Sequence, residues 1–269
     1  STPKPSSSSS YVYKRQKMYL QKTEVKNKTA LVTGASSGIG YATVKKLTAK
    51  GIKVYATARR INKLKQLKLE TGCEIIPLDI LDQKQIYKSF ENLDLDILVN
   101  NAGIGKAFSS INQVNPADIN ITTETNITSF LHLLRALVPN MVKKKKGHLI
   151  NIGSIAGLYP MAPSVYAGTK GAVHMINQNL RLELAGTGIR VTEICPGRVK
   201  TEFFDTAFAD NPKKKKEIMS GYNMLTQDDI ADAILYAILA PWRVNISLIE
   251  ITPTEQAPGG SVIKKVKVN

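Results

Sequence analysis

Two hydrophobic periods alternate along this chain. Short apolar or β-branched runs at 29–33, 53–57, 74–78, 97–99, 148–152, 190–194 and 245–251 read as buried strands. Between them, apolar residues fall on helical spacing, as with Ala42, Val44 and Leu47 in the stretch 40–50. The same spacing marks 61–70, 83–92, 123–144, 165–185 and 228–239. Strands that alternate with helices long enough to cross a sheet pair in parallel. The pattern predicts an α/β fold: one Rossmann-type domain with a doubly wound parallel sheet of about seven strands and helices on both faces.

The two ends fall outside this pattern. Residues 1–21 carry a serine run at 6–10 with prolines and basic residues, and read as a disordered leader. The domain is expected over 22–256, with a basic tail over 257–269. Cys73 and Cys195 lie far apart and make neither a disulfide framework nor zinc-ligand spacing, which points to a reducing, cytoplasmic setting. His132, His148 and His174 are scattered, and no metal is expected. No apolar run approaches the roughly 18 to 20 residues of a membrane span, and no secretory signal is recognisable, so no membrane partner is expected.

Charge changes this picture little. The chain has 37 basic and 21 acidic residues, a formal charge of +16. The excess sits in lysine runs at 143–146 and 213–216 and in Lys264, Lys265 and Lys267, with almost no interleaved aromatics for base stacking. It reads as solvated surface, and a nucleic-acid partner is not expected.

The chemistry gathers where the predicted strands end. Gly34, Ser36, Ser37, Gly38, Ile39 and Gly40 fill the turn between the first strand and the first helix. Glycines there let backbone approach a pyrophosphate, and the helix N-terminus supplies oriented N–H donors. Arg59, at the end of the second strand, replaces the acidic residue that would accept ribose hydroxyls. A guanidinium at that place favours a 2′-phosphate, hence NADP(H) over NAD. Asp79 and Ile80 after the third strand, and Asn101, Ala102 and Gly103 after the fourth, also occupy strand carboxyl ends, where open α/β sheets bind ligands.

Tyr166 and Lys170 are four residues apart in a predicted helix, so both project from one face. Ser154 follows the fifth strand, and Asn126 sits in the preceding helical stretch. With the glycine loop, Asn-Asn-Ala-Gly at 100–103, Ser154, Tyr-x-x-x-Lys at 166–170 and Pro-Gly at 196–197 in this order, residues 29–256 resemble the short-chain dehydrogenase/reductase family. The resemblance implies Tyr166 as general acid/base, Ser154 as hydrogen-bond partner of the substrate oxygen, Lys170 on the nicotinamide ribose and Asn126 at a relay water. It places Pro196, Gly197, Val199 and Thr201 beside the nicotinamide amide, and implies a homodimer or homotetramer paired through the two long helices. An ammonium beside the phenol is expected to draw its pKa down from near 10 toward working pH.

The C-terminal segments 225–234, 241–246 and 251–256 resemble the NADP-dependent 3-hydroxy acid (serine/allo-threonine) dehydrogenase subgroup. A small hydroxyl or carbonyl substrate is therefore expected, with Ser154 and Tyr166 on its reacting oxygen and Arg198 as a candidate carboxylate clamp. Tyr159, Met161, Phe204 and Phe208 form the alternative, an apolar pocket for a larger aldehyde or ketone. A broader carbonyl or sulfonated-aldehyde reductase, a non-catalytic NADP-binding regulator and a nucleic-acid binder are the other readings.

Overall fold

A computed structural model describes residues 25–209, 211–257 and 263–264. The expected leader at 1–21 lies outside the described residues, as does most of the tail at 257–269. Among the described residues, seven strands form one sheet: β1 Thr29–Thr33, β2 Lys53–Ala58, β3 Glu74–Pro77, β4 Ile97–Asn100, β5 Gly147–Ile152, β6 Ile189–Pro196 and β7 Leu248–Ile251. They run in the order β3-β2-β1-β4-β5-β6-β7, and every adjacent pair is parallel. The order reverses between β1 and β4, so the loops leaving these strands diverge and open a crevice.

The helices in chain order are α1 Gly38–Thr48, α2 Ile61–Thr71, α3 Gln83–Phe90, α4 Pro116–Thr123, α5 Ser129–Lys143, α6 Ile155–Leu158, α7 Ser164–Glu183, α8 Phe203–Ala207, α9 Pro212–Met219 and α10 Gln227–Leu239. Strand alternation divides the core between the two faces of the sheet. Val32, Val99 and Ile150 pack toward α1, α2 and α10 through Val44, Leu47, Leu64 and Ile234. Leu31, Leu98 and Leu149, one residue out of phase, pack toward α3, α5 and α7 through Phe90, Leu133, Leu137 and Val173.

α6, α8 and α9 are not expected from the sequence, and two expected elements differ in kind or extent. The helix read over 123–144 is a π-helical turn, Glu124–Thr128, followed by α5, and it is preceded by α4, which the sequence expectation does not include. Hydrophobic spacing does not register one extra residue in a turn, whereas the side-chain bonds of Asn126 do. The last strand begins at Leu248, not at 245. Upstream of it, the Asn245 side chain takes the Val191 N–H (3.2 Å) and the Ile246 carbonyl takes the Thr192 hydroxyl (2.7 Å), so side chains replace the ladder there.

Candidate active site

β1 ends at Thr33, whose hydroxyl accepts the N–H groups of Asn101 (3.0 Å) and Ala102 (2.9 Å). Asn101 Nδ2 donates back to the Thr33 carbonyl at 2.8 Å. These bonds clamp the carboxyl ends of β1 and β4 together and leave no space above them for side chains. A Cβ on Gly34, which has φ 65, would lie 2.9 Å from Asn101 Nδ2, and one on Gly40 would lie 2.5 Å from the Gly34 carbonyl. The N-cap residue of α1, Ser37, makes no side-chain capping bond, so the first-turn N–H groups remain available to an anion.

Two arginines follow β2. Arg59 is exposed and lies 3.9 Å from Asp79. Arg60 reaches into the glycine loop: its Nε donates to Ser36 Oγ (3.0 Å) and Nη2 to Ser37 Oγ (2.6 Å), while Nη1 pairs with Glu202 (2.8 Å). The sequence reading singled out Arg59. The neighbouring guanidinium is the one bonded to the loop: both residues lie past the end of β2, and Arg60 is the N-cap residue of α2, from which its side chain reaches Ser36 and Ser37. The Arg-Arg pair itself was visible, but which member bonds to the loop was not.

At the other end of the crevice, the turn after β5 places Ser154 at the N-cap of α6, where its Oγ accepts the Ala156 N–H at 3.1 Å. Tyr166 and Lys170, on α7, are 8% and 7% exposed. Lys170 Nζ donates to the Ile152 carbonyl at 2.8 Å. Burial holds its pKa down to about 8, with Cys195 and Glu193 acting in the opposite sense. Burial also pushes the Tyr166 phenol up to about 12, opposed by the Ser154 hydroxyl and reinforced by Cys195. The expected lowering of the phenol by Lys170 is not met in this structure. Lys170 is not among the groups acting on the phenol, and its ammonium donates to a backbone carbonyl.

Asn126 lies in the π turn with three hydrogen bonds to its side-chain amide. Oδ1 accepts the Ile104 N–H (2.9 Å), and Nδ2 donates to the Ile104 carbonyl (2.9 Å) and to Thr169 Oγ1 (3.1 Å). The side chain therefore fixes the strand-end loop beside α7. A Cβ on Gly103 would lie 3.3 Å from Asn126 Oδ1 and 3.7 Å from Lys170 Nζ, which places these three groups together.

One cavity of about 810 Å³ joins both ends. Gly34, Ser36, Ser37, Gly38, Ile39, Arg59, Asp79, Ile80, Asn101, Ala102, Gly103, Ser154, Tyr166, Lys170, Pro196, Gly197, Arg198, Val199 and Thr201 all line it. Gly40 and Asn126 stand behind the lining. Of the alternative apolar set, Met161 and Phe204 reach the cavity. Tyr159 instead donates to Glu250 (2.9 Å), and Phe208 packs behind Phe108 with ring centroids 5.2 Å apart. Sequence reading missed Phe108 and Phe203, whose rings lie 5.2 and 5.3 Å from that of Tyr166. Arg198 Nη1 donates to Tyr222 Oη at 3.2 Å, and its backbone N–H donates to Gln256 Oε1 at 2.9 Å. Beyond Gln256 the described part of the tail folds back, with the Lys264 N–H on the Glu255 carbonyl at 2.8 Å.

A switch-point crevice with a glycine-rich phosphate cradle at one end and a buried Ser, Tyr and Lys at the other defines a Rossmann-type oxidoreductase site. The sequence pattern of the short chain dehydrogenase family matches residues 28–212, and the chain belongs to that family. It is 37% identical to serine 3-dehydrogenase of Agrobacterium fabrum (strain C58 / ATCC 33970), over 86% of this chain and 96% of that protein. It is 36% identical to the NADP-dependent 3-hydroxy acid dehydrogenase YdfG of Escherichia coli (strain K12), with the same shares covered. Among solved structures it resembles the closed form of a serine dehydrogenase complexed with NADP+, with a TM-score of 0.83, 35% identity, and 88% and 100% of the two chains covered.

Proposed function

We propose that this protein is an NADP(H)-dependent oxidoreductase that interconverts an alcohol and a carbonyl, acting on a small 3-hydroxy acid or a related aldehyde or ketone. The observation that carries the reading is the burial of Tyr166 and Lys170 beside Ser154, in the cavity that also holds the glycine loop. The cradle fits a dinucleotide phosphate, because Gly34 and Gly40 let α1 close tightly onto the ends of β1 and β4 and the first turn of α1, uncapped by Ser37, offers its N–H groups. Arg60, with Arg59 next to it, presents positive charge beside Ser36 and Ser37, where a 2′-phosphate would be received. Bound NADPH supplies the hydride.

The chain's own groups handle the proton. With its pKa at about 12, Tyr166 is a protonated phenol at neutral pH and is ready to donate to a carbonyl oxygen becoming an alkoxide. Ser154 orients that oxygen, and Lys170 binds ribose hydroxyls beside it. Asn126 holds the loop at Ile104 in register with α7. The names of the relatives support the 3-hydroxy acid class, and Arg198 is the cation offered to a substrate carboxylate.

A second substrate reading rests on the rings around Tyr166. Phe108, Phe203 and Phe204 give the reacting end an apolar wall suited to a larger carbonyl compound. NADPH oxidation and NADP+ reduction against 3-hydroxy acids, semialdehydes and larger ketones separate the two. Turnover of the acids, lost on Arg198→Ala, supports the first; turnover confined to uncharged ketones overturns it. No turnover with any member of the panel would overturn the enzyme reading itself. For the assembly, the exposed Leu131 on α5 and Met175 and Leu182 on α7 support pairing of these helices between copies.

A further inference from the structure

The lysine run at 143–146 has no part in the catalytic cavity. It lies at the opposite, amino-terminal edge of the sheet, beside the starts of β1, β5 and β6. A second cavity opens there, with a volume of about 390 Å³. Small-molecule sites occupy roughly 300–1,000 Å³. Its wall carries Lys28, Lys144, Lys145, Lys146 and Arg190 against the carboxylate of Asp96.

Pairing within the protein leaves much of this charge uncompensated. Lys144 turns to Asp94 (2.5 Å), and Lys146 to Asp96 (3.0 Å), which also accepts the Thr29 N–H. Arg190 is 7% exposed and faces no carboxylate among the described residues. Its guanidinium donates to the carbonyls of Ala240 (3.2 Å) and Val244 (3.1 Å) and to His148 Nδ1 (2.9 Å). His148 cannot share the charge: burial first, then Arg190 and Lys28, hold its pKa well below 6.5. The Lys28 ammonium has no hydrogen bond or ion pair among the described residues. Burial lowers its pKa, Lys146 and Arg190 lower it further, and Asp96 opposes them. Half-buried cations without counter-ions are costly, and a bound anion would relieve that cost.

The backbone also holds one lysine at the mouth. Lys145 has φ 53, and a Cβ on Gly188 would lie 2.3 Å from the Lys145 carbonyl, so the two turns interlock. The Gly188 carbonyl accepts Trp242 Nε1 at 3.3 Å, which sets the indole at the rim with 67% of the residue exposed. A flat, exposed ring beside free ammonium groups is the pairing that recognises a planar heterocycle bearing phosphate.

We propose that this cavity is a second ligand site, separate from the catalytic one, that binds a phosphorylated small molecule carrying a planar ring. Its phosphate sits on Lys28 and Lys145, and its ring lies on Trp242. Trp242 is the chain's one tryptophan, so its emission reports on this cavity. The protein is first saturated with NADP+, which fills the catalytic cavity, and is then titrated with AMP or with pyrophosphate. The expected result is a saturable emission change with AMP at a midpoint below about 1 mM. The Lys28→Ala/Lys145→Ala double variant should bind about tenfold more weakly while turning over substrate as the parent does. Calorimetry on Trp242→Phe should show weaker AMP binding with pyrophosphate binding retained, which tests the ring contact without relying on the lysine variant. The proposal is overturned if AMP does not saturate, if the double variant keeps the parent midpoint, or if pyrophosphate binds as tightly as AMP, the sign of an adventitious ion only. Retention of an oligonucleotide without AMP binding would overturn it in favour of nucleic acid.

Discussion

Tyr166 and Lys170 share a helix face but respond to burial in opposite senses, because burial penalises whichever form is charged. Between pH 8 and 10.5 the folded chain leaves Lys170 neutral while the unfolded chain still protonates it, so stability rises with pH across that window. Above pH 10.0 the sign reverses for Tyr166: the folded chain keeps a phenol proton that the unfolded chain loses, up to about 12. Lys170→Met should flatten the rise in melting temperature between pH 8 and 10, and a variant that climbs as steeply as the parent refutes the assignment. Tyr166→Phe should retain NADPH binding and lose turnover by roughly two to four orders of magnitude. Turnover close to the parent's in single-turnover kinetics would remove the mechanism. Arg60→Ala should weaken NADPH by about tenfold to a hundredfold with little effect on NADH, and Arg59→Ala by less. Equal losses in a comparison of the two cofactors would reverse the ranking of the two arginines.

At the scale of elements, the site depends on clamps between strand ends and helices. Thr33 ties β1 to β4, Asn126 ties the π turn to Ile104 and Thr169, and Arg60 ties the end of β2 to the glycine loop. Asn126→Ala leaves the Ile104 N–H and carbonyl without their partner. The expected cost is roughly 1–3 kcal/mol, read by denaturant melting together with a fall in kcat/KM. If stability falls while kcat/KM holds, the π turn has no bearing on catalysis. The capping box of α10, Thr226 with Asp229, supplies a contrast, since neither residue lines the cavity. Thr226→Ala should cost about 1 kcal/mol and leave kinetic constants unchanged.

For the whole molecule, the two ends of the parallel sheet present different chemistry. The carboxyl ends of the strands gather the glycine loop, Tyr166 and Lys170, and the amino ends gather Lys28, Arg190 and the lysine run. Among the described residues no helix is long and apolar enough to cross a membrane. Light scattering after size exclusion should return a dimer or tetramer mass. Lys substitutions at Met175 and Leu182 should shift it toward monomer if α7 forms the interface.

Strand and helix order was legible because burial on both faces of a parallel sheet writes long apolar runs, and helices between them write a different period. The glycine loop, Ser154, Tyr166 and Lys170 were legible because each combines an uncommon residue type with a set place relative to an element. Other features needed the folded chain. Arg60 and Arg59 are adjacent and chemically identical, and only the folded turn between β2 and α2 decides which one meets Ser36. Phe108 and Phe203 are ordinary apolar residues until loops 58 and 37 positions away in sequence bring both rings onto Tyr166. Lys28, Lys145 and Arg190 carry no motif at all, and their shared cavity exists because parallel strands start along one edge. Sequence by itself determined the fold and named the candidate reacting groups, since both depend on local pattern. Tertiary structure decided the direction of the pKa shifts, the aromatic wall and which arginine meets the glycine loop, since desolvation and contact depend on which distant residues meet.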